Sequence, residues 1–185
     1  GQYHGAGKVL GGYKIRNLLG EGAFATVFLA IQLVTGQQVA LKLLKPDSTG
    51  NAQRRIERFE RETRLCADLY HPNIVRLLDK GRTADGQLFA VFEYVPGETL
   101  KDFLLREGAL KPEAAGELMI QVLDALSAAH KSGVVHRDLK PGNIMIAKNG
   151  RRHHVKVLDF GIGALTSNAH LPDYKFFRSV YNKTV

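Results

Sequence analysis

The sequence predicts an α+β chain of two lobes: an antiparallel sheet carrying one helix, then a mainly helical half. Three observations predict it. Short apolar runs separated by tight turn signals fill most of the first ninety-odd residues. One helical pattern interrupts them between Asn51 and Tyr70. After Pro96-Gly97 the apolar spacing becomes helical, and that dipeptide reads as a short hinge.

The strands come first. Tyr13–Glu21 and Ala25–Gln32 flank a Gly-rich bend, and Thr35-Gly36 turns the chain into Gln38–Leu44, an antiparallel meander. A helix follows, with Asn51 as N-cap and Ile56, Phe59, Thr63, Cys66 and Tyr70 at three- and four-residue steps. Its other faces carry Arg54, Arg55, Arg58, Arg61 and Arg64 beside Glu57 and Glu60, a mixed-charge face that reads as solvated. Pro72 ends the helical region. Ile74–Asp79 and Leu88–Val95 complete a five-stranded sheet around Asp85-Gly86. The second half opens with a short helix, Thr99–Arg106. A long one, Pro112–Lys131, has proline early and Gly133 just past its end. Its apolar stripe is Leu118, Val122, Ala125, Leu126 and Ala129. The expected divisions are an extension over 1–12, a first lobe over 13–95 and a second over 96–185.

Composition narrows the class. The chain has 185 residues, 44% hydrophobic and 24% charged, a globular profile. The longest apolar run, Val27–Ile31, is far short of the ~20 residues that span a bilayer, so no membrane segment is expected. No apolar stretch follows Gly1–Lys8, so no signal peptide is expected. A single cysteine, Cys66, allows no intrachain disulfide and suits a reducing, cytoplasmic compartment. The net charge of +8 admits anionic partners. Nucleic acid is not one of those expected: Arg151-Arg152-His153-His154 sits in a predicted turn with no aromatic platform. His153-His154 also lacks the Cys or carboxylate companions of a metal site.

Four motifs carry chemistry. Gly20-Glu21-Gly22-Ala23-Phe24-Ala25 joins two strands, and glycines at such a bend let backbone N–H groups approach phosphate oxygens. No Gly-Lys-Ser/Thr follows, so it is not a Walker A loop, and the following strand excludes a dinucleotide fingerprint. Val39-Ala40-Leu41-Lys42 places a lysine in an apolar strand, on the face of Ala40. If that face points inward, Lys42 needs an anionic partner, and Glu62 is the best placed. His136-Arg137-Asp138-Leu139-Lys140-Pro141-Gly142-Asn143 gathers a base, two cations and an amide in one loop. Asp159-Phe160-Gly161 follows the apolar strand Val155–Leu158.

In this order, the four motifs resemble those of the eukaryotic-like (Hanks-type) serine/threonine protein kinases, and the phrasing around His136, Ile144 and Asp159 is most similar to bacterial members. The resemblance covers about Tyr13 to Gly163 closely. It implies a protein-kinase-like fold with a five-stranded N-lobe sheet, one helix and a helical C-lobe, and a reaction that transfers the ATP γ-phosphate to a Ser or Thr hydroxyl of a protein.

The implied roles follow position by position. Gly20, Glu21, Gly22, Ala23 and Phe24 cover the phosphates, with Ala25 in place of a third glycine. Val27, Ala40 and Met145 pack on adenine. Phe92 guards the back of the pocket, and Glu93 to Val95 form the hinge. Thr99 falls where many kinases carry an acidic ribose contact, with Glu98 adjacent. Lys42 pairs with the α/β-phosphates and Glu62 holds it. Asp138 orients the substrate hydroxyl and accepts its proton, and Lys140 steadies the γ-phosphate. Asn143 and Asp159 are the ligands of Mg²⁺ (or Mn²⁺). Leu77, Cys66, Phe160 and His136 match a buried stack. Arg137 implies activation-segment phosphorylation, with Thr166, Ser167, Ser179 and Thr184 as acceptors.

The Gly-Thr-x-x-Tyr-x-Ala-Pro-Glu pattern that closes this segment in the family is absent before Val185, which implies a chain ending inside the activation segment. Without the helices that follow, the Pro112–Lys131 stripe is expected to be exposed. The alternative function is an ATP-binding or interaction module without transfer, working as a dimer or with a complementing chain.

Overall fold

The computed structural model describes residues 5–22, 25–48, 50–134, 139–149 and 152–158. The chain divides into two compact units, residues 1–67 with 76–94, and residues 68–75 with 95–185.

The first unit holds a six-stranded antiparallel sheet. Its strands are β1 (Val9–Leu10), β2 (Tyr13–Glu21), β3 (Ala25–Gln32), β4 (Gln38–Leu44), β5 (Leu77–Arg82) and β6 (Leu88–Glu93), in spatial order β1-β2-β3-β4-β6-β5. Helix α1 (Ala52–Ala67) lies between β4 and β5 in sequence. The sheet is the predicted one with a sixth strand at its edge: Val9 pairs with Lys14 and Leu10 with Tyr13, so residues 9–10 belong to the sheet rather than to an extension.

Alternation along the strands builds the core. Phe28 opposes Leu41, which opposes Val91, and all three are buried on one face with Ile15, Ala30, Val39, Leu43 and Phe89. Each such side chain stabilises by roughly 1.5–3 kcal/mol relative to exposure. The Tyr13 ring meets Phe89 edge-on at 6.3 Å, and its hydroxyl donates to Asp79 at 2.6 Å. Phe89 has room because two glycines give way: a Cβ on Gly81 would lie 2.5 Å from the ring and one on Gly11 2.8 Å.

In α1 the chain turns helical at the expected place, with the Arg55 N–H donating to the Asn51 carbonyl. Phe59, Thr63 and Cys66 are buried at i, i+4 and i+7, and the Thr63 hydroxyl donates to the Phe59 carbonyl at 2.7 Å. Tyr70 lies beyond the helix end and is 76% exposed, so the stripe stops at Cys66.

The second unit contains α2 (Leu100–Glu107), α3 (Pro112–Lys131), a 3-10 turn over Pro141–Asn143, and a small antiparallel sheet. Its strands are β7 (Glu98–Thr99), β8 (Ile144–Asn149) and β9 (Arg152–Val157). Strand β9 begins at Arg152, so His153 and His154 sit in a strand rather than a turn. Helix α3 has the predicted bounds, with Gly133 at φ +78° after it.

The α3 stripe is not exposed: Leu118, Val122, Ala125, Leu126 and Ala129 are all buried. Helix α3 packs on β9, and the Gln121 side chain fastens it by accepting from the Val155 N–H at 2.8 Å. The large apolar residues left exposed on α3 are Ile120 and Leu123.

The sequence places a strand at Ile74–Asp79, but β5 starts only at Leu77. Ile74 and Val75 pair elsewhere. The Val157 N–H donates to the Asn73 carbonyl at 2.8 Å, and the Val75 N–H donates to the Val157 carbonyl at 3.0 Å. The same apolar run thus serves two sheets, with its first part beside β9.

Candidate functional site

In the first unit, strand register decides which predicted residues meet. Val27 stands opposite Lys42, and Lys42 opposite Ala90. Leu29 stands opposite Ala40, and Ala40 opposite Phe92. Directly opposed residues share a face, as do i and i+2 along a strand. Val27, Ala40, Lys42 and Phe92 therefore lie on one face, opposite to the core face of Phe28, Leu41 and Val91. Leu29 and Ala90 lie there too; the sequence reading did not single them out, although alternation could have found them. Val27, Leu29 and Ala40 are half-buried.

Lys42 is 5% exposed, the one buried ionisable cation among the described residues. Few proteins bury an ammonium without giving it an anion. Glu62, half-buried on α1, lies near enough to Cys66 to act on its thiol. Burial first, and the Glu62 charge second, push that thiol from 9.0 to about 12. Leu77 is buried in the same unit.

The Gly-rich turn closes on itself, the Gly22 N–H donating to the Ala25 carbonyl at 2.9 Å. Gly20 pairs with Val27 across β2 and β3. Glu21 meets Lys45 at 3.0 Å, and this hydrogen bond and charge hold its carboxyl below the usual range. Glu93 is anchored to Arg76 in both directions: its N–H donates to the Arg76 carbonyl and its carboxylate accepts from the Arg76 N–H, each at 3.0 Å.

In the second unit, Val95 is buried. Lys140 is exposed and precedes the 3-10 turn, where the Asn143 N–H donates to the Lys140 carbonyl at 2.9 Å. The Asn143 carbonyl in turn accepts from the Leu158 N–H at 2.8 Å. Met145 is half-buried, facing Thr99 on one side and Lys156 on the other, away from buried Ile144 and Ile146.

Where a ribose contact was expected, both side chains are engaged locally. The Thr99 hydroxyl caps α2, accepting from the Asp102 N–H at 3.1 Å, and the Glu98 carboxylate meets Arg106. His153 stacks edge-on against Phe103 at 5.0 Å, and the His154 Nε2 donates to the Pro72 carbonyl at 2.7 Å. Among the described residues no His, Cys, Asp and Glu gather into a metal-binding group.

Asp138, Asp159, Ala23 and Phe24 lie outside the described residues, as do His136, Arg137, Phe160, Thr166, Ser167, Ser179 and Thr184. Among the described residues no helix is long and apolar enough to cross a membrane.

Comparison with known proteins adds the family. The protein kinase domain model matches residues 13–181. Serine/threonine-protein kinase pkn3 of Myxococcus xanthus is 43% identical over 157 residues, covering 84% of this chain and 28% of that protein. PrkC of Bacillus subtilis is 39% identical over 161 residues, covering 87% and 24%. The chain thus spans about a quarter of the length of these relatives. Among solved structures, the PknI kinase domain of Mycobacterium tuberculosis superposes with a TM-score of 0.76 at 28% identity, covering 96% of this chain and 69% of that one. Rad53, solved in complex with AMP-PNP, gives 0.71 at 36% identity, covering 82% and 38%. With a β-rich unit that buries Lys42 beside Val27 and Ala40, and a family match over nearly its whole length, the chain belongs to the protein kinase domain family, as a bacterial Hanks-type serine/threonine kinase domain.

Proposed function

We propose that this chain is the nucleotide-binding and catalytic part of a protein kinase that phosphorylates Ser or Thr hydroxyls of protein substrates with ATP and Mg²⁺ or Mn²⁺, in the cytoplasm. The observation that carries the reading is Lys42, a buried cation on the half-open face of the sheet that also carries Val27, Leu29, Ala40, Ala90 and Phe92. A mainly apolar face with one buried charge suits a ligand that is flat and apolar at one end and anionic at the other. The AMP-PNP complex of Rad53, which is similar in fold, supports a nucleotide as that ligand.

Bound ATP supplies an activated phosphoryl group; the protein supplies position and charge. Lys42 provides a fixed positive charge toward phosphate oxygens, and Glu62 orients it. Gly20 and Gly22 leave the main chain at the bend without a Cβ, so phosphate oxygens can approach it closely. The Asn143 amide oxygen and the Asp159 carboxylate are hard oxygen donors that fit Mg²⁺. The Asp138 carboxylate accepts the proton of the attacking hydroxyl, and Lys140 offsets charge that develops during transfer.

Binding of Mg-ATP to the full-length protein carrying Lys42→Met tests the reading. We expect at least ~tenfold weaker binding, about 1.4 kcal/mol, with an unchanged circular dichroism spectrum. Undiminished binding overturns it.

A further inference from the structure

The two sides of the Gly-rich turn differ. Gly20 stands opposite Val27, and Val27 opposite Lys42, so the turn residue on the Lys42 side has no side chain. Glu21 stands opposite Thr26, and Thr26 opposite Leu43, so the Glu21 side chain leaves from the other side of the sheet. There its carboxylate meets the Lys45 ammonium at 3.0 Å, one residue past the end of β4. The ion pair therefore crosses over β3, from the last residue of β2 to the end of β4.

Lys45 is itself anchored. Its carbonyl accepts from the Arg55 guanidinium of α1. Arg55, Phe59 and Glu62 recur at i, i+4 and i+7 on one side of that helix, and Phe59 is buried. The helix that carries Glu62, assigned above to Lys42, thus also holds the strand end to which Glu21 is tied.

The turn has few other restraints among the described residues. Its main chain is closed by the Gly22 N–H donating to the Ala25 carbonyl, and the β2–β3 ladder shifts register between Leu18 and Gly20, just before it. Glycine on both sides of Glu21 leaves the chain a wide range of conformations. An ion pair from the residue between them narrows that range and places no atom on the Lys42 side.

The charge is also informative. A carboxylate repels an anionic ligand, so a turn built only to attract phosphate would carry no acid here. The pair is exposed, so it contributes little to folding. A residue that opposes the ligand by charge and adds little stability marks a functional position.

We infer that Glu21 is a positioning residue: its ion pair with Lys45 latches the Gly-rich turn to the end of β4 and holds the turn over the phosphates of a bound nucleotide. The inference rests on the nucleotide reading above. The latch acts by geometry, against the sign of the Glu21 charge, and that opposition makes it testable.

The measurement is release of the Mg²⁺ complex of methylanthraniloyl-ADP, a fluorescent nucleotide, from the full-length protein by stopped flow. Glu21→Gln and Lys45→Gln are each expected to speed release at least ~threefold and to weaken binding by a similar factor. The double variant is expected to release no more than ~1.5-fold faster than the faster single, because one pair can be lost only once. Lys80→Gln removes the other exposed pair of α1, Lys80 with Glu60, outside the turn, and is expected to leave release unchanged. Melting temperatures are expected to stay within about 2 °C of the wild type, as for exposed pairs in general.

If Glu21 acts only as a charge beside the phosphates, Glu21→Gln slows release and the two single effects add. Either result overturns the latch, as does unchanged release in Glu21→Gln or an equal effect of Lys80→Gln. These outcomes leave the nucleotide reading standing. No binding of the fluorescent nucleotide by the wild type overturns both.

Discussion

The Leu158 N–H donates to the Asn143 carbonyl at 2.8 Å, which ties the 3-10 turn to the last described residue before Asp159. The residue that precedes Asp159 in sequence is therefore held by main chain to Asn143, a proposed metal ligand. Asn143 is the last residue of the turn, and Asp159 directly follows Leu158.

The clamp that holds β9 is side-chain built and can be tested by deletion. The Asn73 amide donates to Gln121 at 3.0 Å and to the Val155 carbonyl at 2.9 Å, while Gln121 accepts from the Val155 N–H and donates to the His153 carbonyl at 3.0 Å. Asn73 is 7% exposed. Asn73→Ala is expected to cost about 1–3 kcal/mol, because buried polar groups lose their partners. Gln121→Leu is expected to cost a similar amount. The double variant in urea denaturation should cost clearly less than the sum of the singles. Strict additivity would refute the clamp.

Gly97 supports β8 by having no side chain. A Cβ there would stand 2.3 Å from the Ile146 carbonyl oxygen, and its φ is +142°, outside the range of most L-residues. Gly97→Ala is expected to lower stability by about 2–4 kcal/mol by strain and displacement of β8. Gly86→Ala, with the same sign of φ but open space around it, should cost only about 1 kcal/mol, from the left-handed backbone alone. Equal costs in thermal denaturation would contradict the close approach.

Stability should fall on the alkaline side, and two residues set the window. Burial and Glu62 push the Cys66 thiol from 9.0 up to about 12. Burial and the hydrogen bond to Asp79 push the Tyr13 phenol up as well. Both folded values exceed the unfolded ones, so the folded state favours the neutral forms. Their contribution is fully present below about pH 9 and is lost as pH climbs through 9 to 12. Denaturant titrations across that range should show a decline that is shallower in Cys66→Ala and in Tyr13→Phe. Prompt labelling of Cys66 by a thiol reagent in the native protein at pH 8 would contradict the burial.

Much of this arrangement is legible in the sequence. Helix α3 is bounded correctly because Pro112 and Gly133 act locally, and its buried stripe repeats at helical spacing. Alternation in Val39-Ala40-Leu41-Lys42 places Lys42 with Ala40. What is not legible depends on neighbours far away in sequence. Ile74 and Val75 read as the start of a strand that continues to Asp79, yet Val157, over eighty residues later, claims them for a different sheet. The α3 stripe is covered by β9, which sequence spacing cannot assign to it. Gln121 is polar within an apolar helix side and looks solvated, until Asn73 and Val155 arrive to fill its bonds.

The central claim is phosphoryl transfer by this set of residues, and Asp138 tests it most directly. The measurement is transfer of labelled phosphate from Mg-ATP to protein Ser and Thr by the full-length protein, beside Asp138→Asn, with Mg-ATP binding measured on both. The account predicts that the wild type transfers phosphate, and that Asp138→Asn binds Mg-ATP within about threefold of it while losing transfer by ~10²–10⁴-fold. Equal transfer by the two proteins, or nucleotide binding without transfer in the wild type, would contradict it.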